Sequence, residues 1–528
     1  MSAATVRDAV FALLREAGMT TVFGNPGSTE LRFLRAWPAD FRYVTGLHEG
    51  CAVAMADAYA QLTRDAAFVN LHSAGGLGNA MGSVFSAYKN QTPLVITAGQ
   101  QSRAMFPSVP FLFAQDATTL PQPYVKWSCE PARAEDVPAA LEHAYHAALQ
   151  PPFGPTFVSI PEDDWDRETT YGPLRRVDGR FRASQAGIEA VIEALRACSR
   201  PAFVVGPGVD RDDASDAAVA LAEKCGAAVF VSPFSSRCSF PERHPNFAGF
   251  LPPVRTQIVE RLQPYDLVLV LGAPVFTYHV FTPGPPIAAG TTVFQLGDDP
   301  AAAAAAVTGT SLLTTLREPL ESIARGVPAP PSPRPAVSRP APPAPTGEPL
   351  SGAYALATLA RMLPADAIVL EEAPSHRGAL HDYFPIERPG TFFAAASGSL
   401  GWALPAAVGA ALAKPGRRIV AILGDGSSLY SIQGLWTAVQ LGLPISFIVL
   451  DNGAYAAMDQ FSRYLGFAGA PSFALPGIDF VRAAEAFGAR GVRVDRAAAL
   501  EAAFATSFAS PTPTLVDVAV DDGAGVIY

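Results

Sequence analysis

Two apolar runs in the last third of the chain constrain the fold more than any other feature of the sequence. Residues 419–423 (IVAIL) and 445–450 (ISFIVL) have the length and β-branched content of buried strands, and residues 431–441 between them have a helical pattern. A strand, a helix and a second strand form a βαβ unit, whose strands are parallel and end at the same edge of the sheet. The sequence therefore predicts an α/β fold with helices on both faces of a parallel sheet.

The same alternation of apolar runs and helical segments recurs along the rest of the chain. Strands are predicted at residues 20–24, 67–71, 94–98, 156–160, 202–205, 228–231 and 267–271, and a helix at residues 49–64. A chain of 528 residues exceeds what one hydrophobic core usually supports. We therefore expect three doubly wound parallel-sheet domains, at residues 1–180, 181–326 and 350–528, with the proline-rich residues 327–349 as an extended surface linker.

Composition argues against several classes of protein. The chain has 38 Lys and Arg against 48 Asp and Glu and no basic cluster, so a nucleic-acid-binding surface is not expected. No apolar run reaches the ~18–20 residues of a membrane span, and charged residues interrupt the N-terminal apolar residues, unlike in a signal peptide. The five cysteines lack CxxC spacing, which favours reduced thiols and a cytoplasmic location.

Polar residues follow both strands of the βαβ unit. Asp425 comes just after the first strand and Asn452 just after the second, so their oxygens should meet at one edge of the sheet. Gly424 and Gly426 allow a phosphate to approach the backbone closely, and the helix that follows offers its N-terminus to an anion. Carboxylate, amide and phosphate oxygens are the ligands that Mg²⁺ prefers. This edge is therefore predicted to bind a phosphorylated ligand together with magnesium.

A GDG sequence followed about 27 residues later by an asparagine resembles the diphosphate-binding motif of thiamine-diphosphate enzymes. By that resemblance, Asp425, Asn452 and the backbone carbonyl of Ala454 hold Mg²⁺, which bridges the diphosphate. Six further segments resemble the benzoylformate decarboxylase family of thiamine-diphosphate-dependent decarboxylases, and together they span nearly the whole chain: VFGNPGSTE (22–30), NLHSAGGLGNAMG (70–82), ITAGQQSRAM (96–105), VKWSCEPA (125–132), GAPVFTYH (272–279) and SLGWALPAA (399–407).

The resemblance implies the non-oxidative decarboxylation of an aromatic 2-oxo acid and assigns roles to individual residues. Glu49 would engage the aminopyrimidine ring of the cofactor, His72 and His279 would transfer protons, and Ser28 would bind the substrate carboxylate. The predicted contacts to the cofactor are made by Asn25, Pro26, Gly27, Gly398, Leu400, Gly424, Asp425, Gly426, Ser427, Asn452 and Tyr455. Leu400 would be the apolar wedge that forces the two cofactor rings together, and Phe111, Ala457 and Phe461 would line the substrate pocket.

Three departures from the family pattern bear on this interpretation, and one of them is Phe111 and Phe113, which stand where the family has smaller side chains. Ala454 stands where the family has Thr, a change that keeps the backbone carbonyl. Residues 371–377 (EEAPSHR) replace a Ser/Thr-rich segment near the cofactor, and Pro374 removes a hydroxyl and a backbone donor, which puts cofactor affinity in question.

Three functions compete on the sequence alone. The first is the decarboxylase; the second is a thiamine-dependent carboligase or 2-hydroxyacyl-CoA lyase, which would not need His72 paired with His279. The third is a thiamine-binding or assembly protein without catalysis, against which an intact set of Glu49, Asp425 and Asn452 argues. Since the family joins the Glu49 and Asp425 half-sites across two subunits, we expect a homodimer at least, and a homotetramer of two such dimers.

Overall fold

The structure is a computed structural model that describes residues 4–329, 337, 339–467, 469 and 471–521. It contains three six-stranded sheets whose neighbouring strands are all parallel, and one short antiparallel pair. Each six-stranded sheet lies within one of the three expected segments, with helices on its faces, so the predicted fold class is confirmed. The boundaries of the three domains stay a prediction.

The N-terminal sheet has the strand order β3-β2-β4-β5-β7-β6, and β1 pairs with β8 beside it. Its elements are β1 (Ala4–Thr5), α1 (Val6–Glu16), β2 (Thr21–Gly24), α2 (Leu31–Leu34), β3 (Arg42–Thr45), α3 (Glu49–Thr63), β4 (Ala67–Leu71), α4 (Ser73–Lys89), β5 (Leu94–Gln100), β6 (Ser128–Cys129), α5 (Val137–Leu149), β7 (Pro155–Pro161) and β8 (Glu168–Thr169).

The central sheet has the strand order β11-β10-β9-β12-β13-β14. Its elements are α6 (Gln185–Ala197), β9 (Pro201–Val205), α7 (Gly208–Arg211), α8 (Ser215–Cys225), β10 (Ala228–Val231), β11 (Phe247–Phe250), α9 (Arg255–Leu262), β12 (Leu267–Leu271), β13 (Thr292–Gly297), α10 (Pro300–Ala304), β14 (Thr310–Leu313) and α11 (Arg317–Gly326).

The C-terminal sheet, with the order β16-β15-β17-β18-β20-β19, repeats the connectivity of the N-terminal sheet. Its elements are α12 (Gly352–Met362), β15 (Ile368–Glu372), α13 (Arg377–Tyr383), β16 (Phe392–Ala394), α14 (Ala403–Ala413), β17 (Ile419–Gly424), α15 (Asp425–Ser428), α16 (Gly434–Gln440), β18 (Ile445–Asp451), α17 (Ala456–Tyr464), α18 (Phe480–Ala486), β19 (Arg490–Val494), α19 (Ala497–Ala509) and β20 (Thr514–Ala519).

Both terminal sheets change winding direction between their first and third strands. Ligands of open α/β sheets bind beside such a switch point, at the carboxyl ends of the strands. In the N-terminal sheet the switch lies between β2 and β4, so residues 25–28 and His72 meet there. In the C-terminal sheet it lies between β15 and β17, which brings Glu372 beside Asp425. The predicted site residues therefore cluster where this topology favours a ligand.

The predicted strands agree with the structure to within one or two residues at each end, but the helix predicted at residues 431–441 was wrong in extent. The chain instead forms one turn at Asp425–Ser428 and a second helix at Gly434–Gln440. The turn begins directly after β17, where the Ser427 hydroxyl is hydrogen-bonded to both the N–H and the carbonyl of Gly424. The second helix begins at Gly434, where a Cβ would lie 2.7 Å from the side chain of Leu404.

Helices α3 and α14 pack against each other and join the two terminal sheets. A Cβ on Gly409 would lie 1.9 Å from the carbonyl oxygen of Met55, so only glycine permits this approach. Two residues further along α3, Asp57 accepts a hydrogen bond from the indole N–H of Trp402, which immediately precedes α14. The middle of α3 therefore packs against the C-terminal domain.

Arg339 connects the proline-rich segment to the folded domains. Residues 330–336 and 338 lie outside the described residues, so the extended linker predicted there stays a prediction. Arg339 donates to the carbonyl of His381 and to the Asp382 carboxylate, at 2.9 and 3.0 Å. Its guanidinium also lies 5.3 Å from the ring centroid of Phe247. Arg339 therefore ties the central sheet to the C-terminal one.

We expect His381 to make the protein sensitive to acid. Its ring stacks on Phe250, with 3.7 Å between the centroids, and burial together with Arg377 and Arg339 lowers the pKa of His381 to about 3. An unfolded histidine titrates near pH 6.5, so the contribution of the neutral ring to stability is present above pH 6.5 and is lost as pH falls toward the folded pKa. Between pH 6.5 and 5 this costs about 2 kcal/mol.

His381→Phe keeps the stacking partner and removes the titrating group. The free energy of urea-induced unfolding should therefore fall less between pH 6.5 and 5 in the variant than in the wild type, while the two proteins stay similar near pH 8. Equal losses in both proteins would contradict this assignment.

Among the described residues, no helix combines the length and the apolar character that crossing a membrane requires.

Candidate active site

Glu49 begins α3 and faces the first turns of α4. His48 caps the helix, since its Nδ1 accepts the N–H of Gly50 at 3.0 Å. The Glu49 carboxylate accepts one hydrogen bond, from Asn79 at 3.1 Å. A Cβ on Gly76 would lie 3.2 Å from Glu49 Oε1 and 3.4 Å from the Cβ of His72. The structure therefore brings Glu49 and His72 together on either side of Gly76.

The orientation of His72 depends on Glu30, a buried residue that sequence reasoning missed. His72 Nδ1 lies 2.9 Å from Glu30 Oε2 and 3.0 Å from the Thr29 hydroxyl. Because a carboxylate oxygen accepts, this contact places the ring proton on Nδ1 and leaves Nε2 to face the site. The Glu30 carboxylate is itself held by the N–H groups of Gly27 and Gly99, at 2.7 and 2.9 Å.

Residues 25–28 form the loop that covers His72. A Cβ on Gly27 would lie 2.2 Å from His72 Nδ1, so glycine is required for this close approach. Asn25 and Pro26, which precede Gly27, are half-buried, and Ser28 is exposed at the start of a 3-10 turn. The predicted residues of the N-terminal half-site thus lie around one point at the switch of that sheet.

Asp425 and Asn452 converge as the βαβ unit predicted. Asp425 Oδ2 and Asn452 Oδ1 each accept the N–H of Ala454 at 3.1 Å, so the two oxygens face the same small volume. Asp425 is buried, and burial raises its pKa to about 6. Within the described ranges no basic side chain forms an ion pair with it. A buried carboxylate and an amide oxygen turned to one point, with no protein cation, fit a hard divalent ion such as Mg²⁺.

The backbone around Asp425 fits a phosphate group. Gly426 packs under the ring of Tyr455, where a Cβ would lie 2.5 Å from the ring. The Ser427 hydroxyl donates to the carbonyl of Glu372 at 2.7 Å and so fixes the loop against β15. Gly424 ends β17, and the turn Asp425–Ser428 begins at the switch point, a position that favours anions; within this turn the N–H of Gly426 donates to Asp425 Oδ1 at 2.6 Å.

The loop that carries Gly398 and Leu400 is held by Glu372, the second residue that sequence reasoning missed. The buried Glu372 carboxylate accepts the N–H groups of Gly401, Trp402 and Ala403. Burial raises the pKa of Glu372 to about 7, although the three N–H groups act in the opposite direction. Gly398 has a φ of +70°, a conformation that suits glycine and exposes its carbonyl. The buried Glu372 therefore anchors the end of this loop.

His279 reaches the C-terminal half-site from the central sheet. Its ring contacts that of Phe461 edge-on at 4.9 Å between centroids. His279, Gly398, Leu400, Glu372 and Pro374 are among the residues that line a cavity of about 820 Å³, to which all three domains contribute. Ala457 lies on α17, and its N–H donates to the hydroxyl of Ser375, which follows Pro374, at 3.1 Å.

Within one chain the two half-sites lie apart. The lining of the cavity includes neither Glu49 nor His72, and neither Asp425 nor Asn452; Phe111 is 95% exposed and also outside it. Glu49 lies beside Gly76 in the first turns of α4, whereas Asn90, just after the end of α4, accepts the N–H of Ala396 close to Gly398. Along the helix the residues from Gly76 to Asn90 span about 20 Å. Within one chain, Glu49 is therefore far from the loop that carries Gly398 and Leu400.

Three family models match the chain in succession. The N-terminal TPP-binding domain of thiamine pyrophosphate enzymes matches residues 4–118, the central domain matches residues 188–323 and the C-terminal TPP-binding domain matches residues 373–518. The matched ranges contain the half-sites described above, so thiamine diphosphate is the cofactor of this fold.

Individual relatives match over nearly the full length. Benzoylformate decarboxylase of Pseudomonas aeruginosa is 43% identical over 521 residues, which are 97% of this chain and 98% of the relative. The thiamine diphosphate-dependent 4-hydroxybenzoylformate decarboxylase of Rhodococcus jostii RHA1 has a TM-score of 0.95 at 43% identity, covering 98% of this chain and 99% of that one. Benzoylformate decarboxylase from Polynucleobacter necessarius has a TM-score of 0.96 at 37% identity, with coverages of 98% and 99%. The chain therefore belongs to the benzoylformate decarboxylase family of thiamine-diphosphate-dependent 2-oxo acid decarboxylases.

Proposed function

We propose that the enzyme decarboxylates an aromatic 2-oxo acid of the benzoylformate type to the corresponding aldehyde and CO₂. The observation that carries this proposal is the aromatic surrounding of His279, whose ring contacts Phe461 edge-on and lies 6.0 Å from the ring of Phe234. Aromatic rings prefer edge-on and offset contacts with one another, so this wall favours an aryl group over the methyl group of pyruvate. The names of the three relatives support the same substrate class.

The C-terminal half-site holds the charged end of the cofactor in this proposal. Asp425, Asn452 and the carbonyl of Ala454 bind Mg²⁺, while the backbone at Gly424, Gly426 and Ser427 and the ring of Tyr455 surround the diphosphate. Bound thiamine diphosphate supplies a carbon nucleophile and an electron sink, which together allow CO₂ to leave a 2-oxo acid. Leu400 would support the cofactor rings, and the Gly398 carbonyl would accept from the pyrimidine amino group.

The N-terminal half-site of the partner subunit moves protons. Glu49 would hold the pyrimidine ring and serve as its proton partner, and the loop of Asn25, Pro26 and Gly27 would lie over the cofactor. His72 Nε2 and the His279 ring act on the substrate as acid and base, a task for which imidazole suits neutral pH. Ser28 donates to the substrate carboxylate.

We propose that the working unit is a dimer, because the resemblance to the family joins the Glu49 half-site of one subunit to the Asp425 half-site of another, and Glu49 lies far from the Gly398 loop of its own chain. Two such dimers would form a tetramer. In the dimer, the exposed Phe111 of one subunit would join Ala457 and Phe461 of the other around the substrate.

The substrate proposal is tested by incubating the purified protein with thiamine diphosphate and Mg²⁺ and following CO₂ and aldehyde from benzoylformate, 4-hydroxybenzoylformate and pyruvate. We expect both aryl acids to be turned over and pyruvate to be a poor substrate. Turnover of pyruvate alone, or formation of hydroxy ketones without free aldehyde, would instead support the carboligase. No turnover of any aryl acid by protein with bound cofactor would overturn the proposal.

We expect Glu30→Gln to lower kcat about 100-fold, the lower range for a lost general acid or base. The neutral amide has one acceptor oxygen in place of the two that now serve Gly27, Gly99 and His72 Nδ1, so the ring proton of His72 is no longer held on Nδ1 and Nε2 is no longer kept as the free acceptor. Thr29→Val is the matched control: it removes the other polar neighbour of Nδ1 but leaves the carboxylate contact, so its effect should be much smaller. Steady-state kinetics of both variants decide the matter, and equal effects would refute the orienting role of Glu30.

A further inference from the structure

Helix α3 carries a second acidic residue, Asp57, in the middle of the protein core. Asp57 is fully buried, and within the described part of the chain no Lys, Arg or His forms an ion pair with it. Its carboxylate instead accepts four side-chain hydrogen bonds, from Gln61 and Asn90 at 2.7 and 2.8 Å and from Thr92 and Trp402 at 2.6 and 2.7 Å. A buried acid without a counter-ion is costly even with such partners, and burial raises its pKa. Packing alone does not explain a carboxylate at this position.

Two of the four partners lead directly to residues 396–402, the loop that carries Gly398 and Leu400. Trp402 ends this loop, and its indole N–H is held by Asp57. Asn90 donates to Asp57 and accepts the N–H of Ala396 at 2.9 Å, at the other end of the loop. The Asp57 carboxylate therefore holds both ends of this loop, directly at Trp402 and through Asn90 at Ala396.

The other two partners, Gln61 and Thr92, belong to the N-terminal domain, and among the described residues neither makes a hydrogen bond to this loop. The carboxylate therefore has two bonds that link it to the cofactor loop and two that do not. This division provides matched controls within one cluster.

We propose that Asp57 is a positioning residue for the thiamine diphosphate site. Asp57 acts through Trp402 and Asn90, which fix the position and orientation of Leu400 and Gly398. The inference rests on the proposed role of this loop beneath the cofactor rings. Under this proposal α3 contributes to two cofactor sites. Glu49 at its start serves the cofactor of the partner subunit. Asp57, eight residues or about 12 Å further along, serves the cofactor in its own C-terminal domain.

The test compares Trp402→Phe, which removes the indole donor, with Gln61→Met, which removes a donor to the same carboxylate but not to the loop. The readouts are the Tm of the apoprotein, the calorimetric Kd of thiamine diphosphate at saturating Mg²⁺, and kcat and KM at saturating cofactor. Both variants should lower the apoprotein Tm. Only Trp402→Phe should weaken cofactor binding, about tenfold for one lost hydrogen bond to a charged group, and lower kcat at unchanged KM.

A second pair, Asn90→Ala against Thr92→Val, makes the same comparison from the other end of the loop and serves if Trp402→Phe does not fold. Asn90→Ala should weaken cofactor binding and Thr92→Val should not. Equal Kd values within each pair, in a wild-type background that binds the cofactor, would show that Asp57 only stabilises the fold and would overturn the inference. A wild-type protein that does not bind thiamine diphosphate would overturn the proposed function and this inference together.

Discussion

Replacing Glu49 with glutamine should lower kcat by about 100- to 10,000-fold, the range that general acid–base catalysis contributes. Glutamine keeps the shape of the side chain and an oxygen that can accept from Asn79, so the fold should stay intact. It cannot give or take a proton, and the pyrimidine ring would lose its partner. Steady-state kinetics on benzoylformate, with the Tm as a test of folding, measure this effect.

Asn79→Ala is the matched control for this variant, because it removes the one hydrogen bond to Glu49 and leaves the carboxylate. Its kcat should stay far closer to that of the wild type. Undiminished turnover in Glu49→Gln, or an equal loss in both variants, would refute the proton-transfer role of Glu49.

Asp425→Ala should weaken thiamine diphosphate binding in the presence of Mg²⁺ by roughly a hundredfold or more, as expected when one charged partner of a buried pair is removed. The same change should leave the apoprotein at least as stable as the wild type, because it removes a buried carboxylate that has no basic partner among the described residues. Calorimetric titration with cofactor and thermal unfolding without it give the two values.

The opposite signs of these two effects make the prediction specific to a metal ligand. If Asp425 were only a structural residue at the end of β17, the variant would lower the apoprotein Tm and leave the cofactor Kd unchanged. That result would contradict the magnesium site.

Nine strands could be predicted because each is a short apolar run buried in a parallel sheet, whereas an exposed edge strand such as β19 has no such pattern. The convergence of Asp425 and Asn452 followed from the same reasoning, since parallel strands end at one edge. The helix predicted at residues 431–441 was too long at its start, where Gly434 packs closely against Leu404 of another helix, a contact that periodicity does not contain.

Glu30, Glu372 and Asp57 escaped sequence reasoning for a common reason. Each is a buried carboxylate whose partners are distant in sequence: His72 lies 42 residues from Glu30, and Trp402 lies 345 residues from Asp57. Their only local signal was an acidic residue inside an otherwise apolar or motif-rich segment. Such a signal predicts a buried carboxylate, but it does not identify the side chain or backbone group that this carboxylate binds.

Mixed assemblies test most directly whether a cofactor lies between Glu49 of one subunit and Asp425 of its partner. A Glu49→Gln chain and an Asp425→Ala chain, each inactive alone, are co-expressed with different affinity tags, and assemblies that contain both are purified. If each site draws on two subunits, one of the two sites in a mixed dimer receives both intact residues, and activity returns to about half that of the wild type. If both residues served the same site within one chain, no mixed site would be complete, and the mixed assemblies would stay inactive.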